Sequence, residues 1–568
     1  MGPSNESHVE TVPTGDADYG HMVDQEEGEI HIRTYLLAFS ISLAYFAQLV
    51  NIVGSGAYAR TITSVVGGAA DGVWLTSVLT ICTVVLSPPI SQAADYWGRK
   101  WFLVILTACG AIGCIVVSRA ETIGTAIVGF TISGLSFGAQ PLIHAIISEV
   151  VPRKHRGVAQ GGINVSVALG AIFALLVGGA LTRHEHLLGF RTYWYIAAAV
   201  YAAAALMCAV LYNPPPRELQ VELKLREKLR RLDWVGYVPL TSGLVLFCLG
   251  LSWSQNPYSW TDAHILATFL TGTGLCIALG VYEWRFKTDG MFHHGLFGNR
   301  NFPIALACIF VEGLVFLTAN NYFAFEISVL YTTDPLEVGL HYTVPFWIFA
   351  ASAISSGMYC SRTKTVRLPT VVAFISFTIF MAIMASVGPR TPEANLWGYP
   401  VFLGIGRGVC LPALVTTAQF STPPELIAIT SGRMLSMRSI GGTLGLAVYT
   451  AIFSGSLGRN LAAKIAAATI PLGLPETSLG PLIGALTSGE TAAVAKVPNV
   501  TPEIIQAAVG ALLEAYSIAF RWVWVAAACF SAVAAILAFF IVDPSSAFNG
   551  HIDAPVEVVD HAHHSEKM

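Results

Sequence analysis

Charge is what this sequence has least of. Charged residues fill 12% of its 568 positions, about half the share of a typical soluble domain. A single soluble core of this length cannot hide the apolar remainder, which excludes an ordinary aqueous globule. Positive excess is missing too, since 31 Lys and Arg stand against 35 Asp and Glu. No basic field is available for nucleic acid, and no such partner is expected. The ten cysteines never form Cys-x-x-Cys or a His–Cys metal spacing. Those in apolar runs, such as Cys82, Cys109 and Cys114, read as small core residues. There is no Walker-type Gly-Lys-Ser/Thr loop, no His-Glu-x-x-His and no strand-turn-helix nucleophile elbow. ATP-driven pumping, an enzyme activity, a cofactor and a metal are therefore not expected. His561, His563 and His564 in the tail are read as solvated. The acidic N-terminus lacks the basic start of a cleavable signal.

Apolar length is what the sequence has in excess: 54% of residues are hydrophobic and mean hydropathy is +0.62. A span takes about 20 apolar residues. Hydropathy predicts fourteen, at roughly 34–53, 73–93, 101–118, 123–147, 160–181, 192–212, 234–253, 262–284, 303–325, 340–360, 369–388, 396–420, 428–454 and 519–541. The expected fold class is an all-α polytopic membrane protein, with two six-helix bundles and two extra helices between them. Its parts are a cytoplasmic tail (1–33), a first bundle (34–212), a loop (213–233), the two added helices (234–284), a second loop (285–302), a second bundle (303–541) and a cytoplasmic tail (542–568).

Lys and Arg concentrate in the loops that would face the cytoplasm with both ends inside, such as Arg99 and Lys100, or Arg153, Lys154 and Arg156. The opposite loops hold single cations, among them Arg119 and Arg390. One outer loop, 455–518, is unusually long and carries Asn499-Val500-Thr501, a glycosylation acceptor on the correct side.

After the second span comes Ser91-Gln-Ala-Ala-Asp95-Tyr-Trp-Gly98-Arg99-Lys100. A short loop between spans must turn tightly, hence Gly98. Asp95 and Arg99 can latch a neighbouring helix end. This stretch resembles the signature loop of the major facilitator superfamily, with Ser91 where the pattern begins with Gly. Glu149-Val-Val-Pro152-Arg-Lys-His-Arg156-Gly157, Asp233-Trp234-Val-Gly236 and Phe297-Gly-Asn299-Arg300 look like positions of its fourteen-span branch. Gln48-Leu-Val-Asn51-Ile-Val-Gly54 and Phe310-Val-Glu312-Gly313 look most like fungal trichothecene-type efflux pumps and siderophore transporters. The resemblance implies proton-driven transport of a bulky organic compound by a monomer in a fungal lipid bilayer, with protons and that small molecule as partners. It implies a gate built from Asp95, Gly98, Arg99, Lys100, Glu149, Arg153 and Arg156. Export of a mycotoxin or drug at the plasma membrane is the first reading; vacuolar or vesicle membranes are the alternative location. Import of ferric siderophores with protons is the alternative direction. The chain departs from drug antiporters at Gln48 and Asn51, where an Asp is usual, at Phe130, where an Arg is usual, and at Gly170-Ala-Ile-Phe, which lacks a Gly-Pro pair.

Ionisable groups within spans are the candidates for chemistry, because burying them is costly. Glu312 lies near mid-depth of the ninth span and is the expected proton-titrating carboxylate, with Arg407 as its balancing cation. A purely structural Glu–Arg pair fits the same residues. His144, one helical turn from Gln140, reads either as a proton relay or as a satisfied core histidine. Arg433 and Arg438 read as snorkelling anchors at the start of the thirteenth span, and Tyr193, Trp194, Trp522 and Trp524 as an interfacial belt. For a large amphipathic substrate, the expected cavity residues are Gln48, Asn51, Asn164, Asn320, Asn321, Tyr322, Trp347 and Gln419.

Overall fold

The computed structural model describes residues 32–552 apart from 69–71, 73, 186–188, 215–219, 222–223, 254–260, 287–293, 333, 424–425, 489–496 and 499. Asn499 and the tail histidines lie outside the described residues. Fourteen long helices carry the described chain: α1 (Ile32–Ala57), α2 (Trp74–Trp97), α3 (Lys100–Ser118), α4 (Ile123–Glu149), α5 (Arg156–Glu185), α6 (Gly189–Leu211), α7 (Trp234–Trp253), α8 (Ala263–Arg285), α9 (Asn301–Leu330), α10 (Pro335–Thr363), α11 (Arg367–Met384), α12 (Pro400–Phe420), α13 (Ile427–Thr469) and α14 (Pro502–Ala538). Thirteen are long and apolar enough to cross a membrane, and α7 is the fourteenth at 20 residues. The protein is a multi-pass membrane protein of two six-helix bundles, α1–α6 and α9–α14, with α7 and α8 added. Those two helices pair with each other and lean through α7 on α2 and α13. The bundles meet chiefly along α5 against α10 and α2 against α13.

Local sequence explains the helix irregularities at this seam. Pro141 has no N–H and its ring crowds the carbonyl four residues back. The chain tightens to 3₁₀ geometry over Leu135–Ala139 just before it. Pro88 and Pro89 lie inside α2 and leave the carbonyls of Val84 and Val85 without helical donors. Ser436 of α13 donates to the Val84 carbonyl at 3.4 Å, so one of these gaps is filled from the opposite bundle.

Small residues set how closely the bundles approach. A Cβ on Gly161 of α5 would lie 2.5 Å from the Ala353 carbonyl oxygen of α10, and one on Gly357 of α10 would lie 2.4 Å from the Gly157 oxygen. On Gly432 of α13 it would fall 2.3 Å from the Ser91 hydroxyl of α2. All three contacts lie toward the end that carries the Asp95 loop, so the bundles are sealed there.

Three expectations change. The stretch 455–518, expected as a long loop, is largely helical. α13 continues to Thr469 and α14 begins at Pro502, with a further helix, Glu476–Ser488, between them. At 1.5 Å per residue, the 43-residue α13 is about 64 Å long, roughly twice the hydrocarbon core. The projecting part has its own small core of Ile465, Leu474, Leu482, Ile504 and Ala508. Arg433 is buried beside Glu283, Asp233 and Tyr237, and so ties α13 to the added helices. Of the expected aromatic belt, only Trp522 is exposed; Tyr193, Trp194 and Trp524 are buried. Tyr193 donates to the Val50 carbonyl at 2.6 Å, and Trp194 meets Phe130 edge-on at 5.0 Å. The site of the expected arginine in α4 is thus filled by aromatic packing.

Candidate functional site

A cavity of about 80 Å³ lies between the bundles. α1, α2, α4 and α5 supply Tyr45, Leu49, Thr83, Gln140 and Val167, and α9, α10, α12 and α13 supply Glu312, Phe316, Phe349, Arg407, Leu411 and Arg438. That volume holds a few waters at most, so an organic molecule needs the bundles to part further.

Glu312 is eleven residues into α9, and its carboxylate is clamped by Arg438 of α13. Nε lies 2.5 Å from Oε2 and a terminal nitrogen 3.1 Å from Oε1. The clamp forms because Gly313 lets α13 press on α9: a Cβ there would meet the Arg438 carbonyl oxygen at 1.9 Å. This corrects two expectations. Arg438 is the partner of Glu312 and not an interfacial anchor. Arg407, the expected partner, takes a different role. Its guanidinium faces Phe316 at 4.1 Å and Phe346 and Phe349 at 5.0 Å each. Gly404 and Gly408 allow that cage, since α10 packs directly on the α12 backbone at both positions.

His144 is one layer behind the cavity. Tyr45, which lines the cavity, meets its ring edge-on at 5.4 Å. Gln160 donates from Nε2 to the His144 carbonyl at 2.9 Å and to the Ser148 hydroxyl at 2.7 Å. Its oxygen must then accept from His144 Nδ1, at 2.7 Å. Gln419 of α12 reaches the same His144 carbonyl at 3.3 Å and Ser431 of α13 at 3.1 Å. His144 therefore belongs to a polar network that joins the bundles.

None of the eight residues expected to line the cavity does so. Gln48 donates to the Ser136 carbonyl at 2.7 Å, and Asn164 to the Gln160 carbonyl at 2.7 Å. Asn51 is fully buried within the first bundle. Asn320 accepts from Tyr342 at 2.7 Å, Asn321 turns outward onto its own helix, and Tyr322 donates to Thr450 at 3.2 Å. Trp347 is 54% exposed on the outer surface, and Gln419 serves the His144 network. The cause is rotational: hydropathy gives depth in a span, but 100° per residue decides which face a side chain takes.

Of the residues expected to form a gate, Asp95, Arg99 and Glu149 come together. Gly98 has φ +87°, a turn that glycine adopts without strain. It brings Arg99 back onto Asp95 at 3.1 Å and onto Glu149 at the end of α4. All three side chains are buried. Lys100 turns away to Asn213. Arg156 donates from Nε to the Ser148 carbonyl at 2.8 Å, and its guanidinium lies 5.2 Å from the Phe420 ring. Arg153 and Lys154 donate backbone N–H groups to the carbonyls of His551 and Asn549, at 2.9 and 2.8 Å.

Two features lie outside the expectations drawn from the sequence. Glu326 lies in α9 beyond the predicted end of the ninth span. It is buried, with Oε2 accepting from the Trp524 indole at 2.7 Å and Oε1 without a hydrogen-bond partner among the described residues. Fourteen residues separate it from Glu312, close to four helical turns, and that spacing was the available signal. The second is a strap over residues 543–552. Asp543 accepts from the N–H groups of Val366 and Arg367 at 2.7 and 2.8 Å, and Phe548 packs on Phe420 at 4.7 Å. Through Arg153 and Lys154 it links the second bundle to the first.

The sequence model of the Major Facilitator Superfamily matches residues 35–446, and the chain belongs to that family of transporters. It is 21% identical to the acurin A biosynthesis cluster MFS-type transporter of Aspergillus aculeatus, over 92% of this chain and 93% of that one. It is 20% identical to the efflux pump FUS6 of Gibberella moniliformis, over 91% and 89%, and 24% identical to the MFS-type transporter gkaD of Penicillium citrinum, over 78% and 76%. Among solved structures, the proton:xylose symporter XylE superposes with a TM-score of 0.54 at 12% identity, covering 91% of this chain and 97% of the symporter. A bacterial homologue of the lysosomal transporter Spinster gives 0.53 at 18% identity, covering 92% and 98%. These two establish the shared fold.

Proposed function

We propose that the protein exports amphipathic organic compounds, toxic metabolites of the mycotoxin class or drugs, across the fungal plasma membrane in exchange for protons. The observation that carries this reading is the Glu312–Arg438 clamp at the wall of the inter-bundle cavity. A bidentate pair needs an ionised carboxylate. A proton on Glu312 removes one of the acceptors and frees Arg438, so the protonation state decides whether α9 and α13 hold each other at the cavity wall. Relatives spanning nearly the whole chain that are described as efflux pumps support the outward direction.

The arrangement suggests a cycle. With the Asp95 end sealed, Glu312 meets the outer medium and takes a proton as substrate leaves. When the seal at Gly157, Gly161 and Gly432 opens, Glu312 releases the proton inward and substrate enters. The Asp95–Arg99–Glu149 cluster and the strap would set how readily that end opens.

The test is a paired assay in yeast lacking its own pumps and siderophore carriers. Resistance to a trichothecene and drug panel, with lowered cell-associated compound, is the expected result. Growth on ferric siderophore as sole iron source would reverse the direction. Glu312→Gln should reach the membrane and lose the dependence of transport on the pH gradient; retained dependence would remove Glu312 from the coupling.

A further inference from the structure

We propose that the substrate is an amphipathic organic anion and that Arg407 is the group that binds its acid oxygens. The proposal rests on the export reading only in placing the substrate in the inter-bundle cavity.

Three charged side chains line the cavity: Glu312, Arg438 and Arg407. Both Glu312 oxygens are engaged by Arg438. Arg407 has no carboxylate within ion-pair distance among the described residues, although it is 3% exposed. The cavity therefore carries one net positive charge. Arginine does not shed its proton, and a cation at this depth is costly unless something balances it.

The surroundings of Arg407 supply part of that balance and leave the rest open. Phe316, Phe346 and Phe349 lie against the guanidinium. Aromatic faces stabilise the charge, but they are poor partners for its five in-plane N–H donors. Those donors form a fork that fits the two oxygens of a carboxylate or similar oxyanion. The cage also holds the fork: Gly404 and Gly408 bring α10, and with it Phe346 and Phe349, onto α12, and Phe316 closes it from α9. Phe316 touches both cations, 4.1 Å from Arg407 and 4.8 Å from Arg438. An anion arriving at Arg407 is then one ring away from the proton-responsive clamp.

The rest of the wall fits the body of such a molecule. Leu49, Ile52, Val167, Leu317 and Leu411 are apolar, and Gln140 and Thr83 offer neutral hydrogen bonds. In the sealed state the cavity admits little more than the acid group, so the apolar body must lie where the bundles widen. The same excess positive charge acts against cationic compounds, which is specificity by repulsion.

The experiment uses the purified full chain in detergent and a graded series of aryl-alkanoic acids, each paired with its own primary amide. Binding is read from ligand-dependent thermal unfolding. Acids should bind roughly 10- to 100-fold more tightly than their amides. Arg407→Gln should bring the ratio close to one while amide binding persists, which shows that the variant is folded. Arg407→Lys should restore part of the preference. Equal binding of acid and amide, no binding by any acid, or a ratio that survives Arg407→Gln would each overturn the proposal. Loss of transport in Arg407→Gln without acid selectivity would do so too, making Arg407 an alternative partner of Glu312 in another state. The cation rhodamine 6G, tested in the yeast efflux assay, separates the two readings. Its export without acid selectivity leaves the exporter standing and removes the anion site. Arg407-dependent acid binding without export of any compound removes the exporter and leaves the site.

Discussion

Replacing Gly161 with alanine adds one methyl group where α5 meets α10. Its carbon would lie 2.5 Å from the Ala353 carbonyl oxygen, whereas ordinary contact begins near 3.4 Å. The helices must part by about 0.9 Å, because the methyl is fixed to its helix and the oxygen it meets is main chain, so no side chain can rotate away. Overpacking of this kind costs about 1–3 kcal/mol, which shifts the balance roughly 5- to 150-fold toward the state open at the Asp95 end. Gly162 is the control, because a Cβ there meets nothing within 4 Å. Alanine raises helix propensity by about 1 kcal/mol at either position, so the difference between the two variants isolates the clash. Hydrogen-exchange mass spectrometry should show faster exchange around 150–165 and 350–365 in Gly161→Ala, with slower export, and neither change in Gly162→Ala. Identical exchange and turnover in the two variants would refute the view that this glycine contact holds the seal.

Three further outcomes follow from the geometry. Asp95→Ala leaves the Arg99–Glu149 pair in place and should slow turnover without blocking membrane insertion; Arg99→Ala removes the cation that both acids share, costs about 3–5 kcal/mol, and should lower the folded yield recovered in detergent. Burial, then Arg153 and Arg156, hold the His551 imidazole below the usual histidine range, so docking of the strap should be strongest above pH ~6.5 and weaken as pH falls below it. Exchange at 543–552 should therefore rise on acidification, and His551→Asn should flatten that response; a strap whose exchange is the same at pH 7.5 and 5.5 contradicts it. Glu326→Gln keeps an acceptor for the Trp524 indole at a site with no cation in ion-pair distance among the described residues, so the variant should unfold at the same or a higher temperature; a marked drop would mean that the carboxylate is held by more than the indole.

The Asp95–Arg99 pair was legible because it is local in sequence. Gly98 fixes the turn and Arg99 is four residues from Asp95, whereas Glu149, fifty residues on, is brought to Arg99 by the packing of α4 and was expected only from the family resemblance. The span count was legible for a related reason: each segment's hydropathy is a property of that segment. The cavity depends on something else. Gln48, Asn51 and Asn164 are deep in their spans, yet rotation turns them into the first bundle, where backbone carbonyls take the amides of Gln48 and Asn164. Glu312 and Arg407 were found because charge at mid-depth stands out, but the choice of partner was decided by Gly313. That glycine lets α13 press on α9 and puts Arg438 within reach of both carboxylate oxygens. The outer helices escaped for the opposite reason. Leu461-Ala-Ala-Lys464-Ile-Ala and Ile504-Ile-Gln506-Ala-Ala lie beyond the roughly 20 residues a span needs and so read as loop. Alanine is the strongest helix former, and an amphipathic run continuous with a span extends it at little nucleation cost. A chain of this kind therefore reveals its depths and its local turns, while the inward-facing walls depend on which glycines let two helices touch.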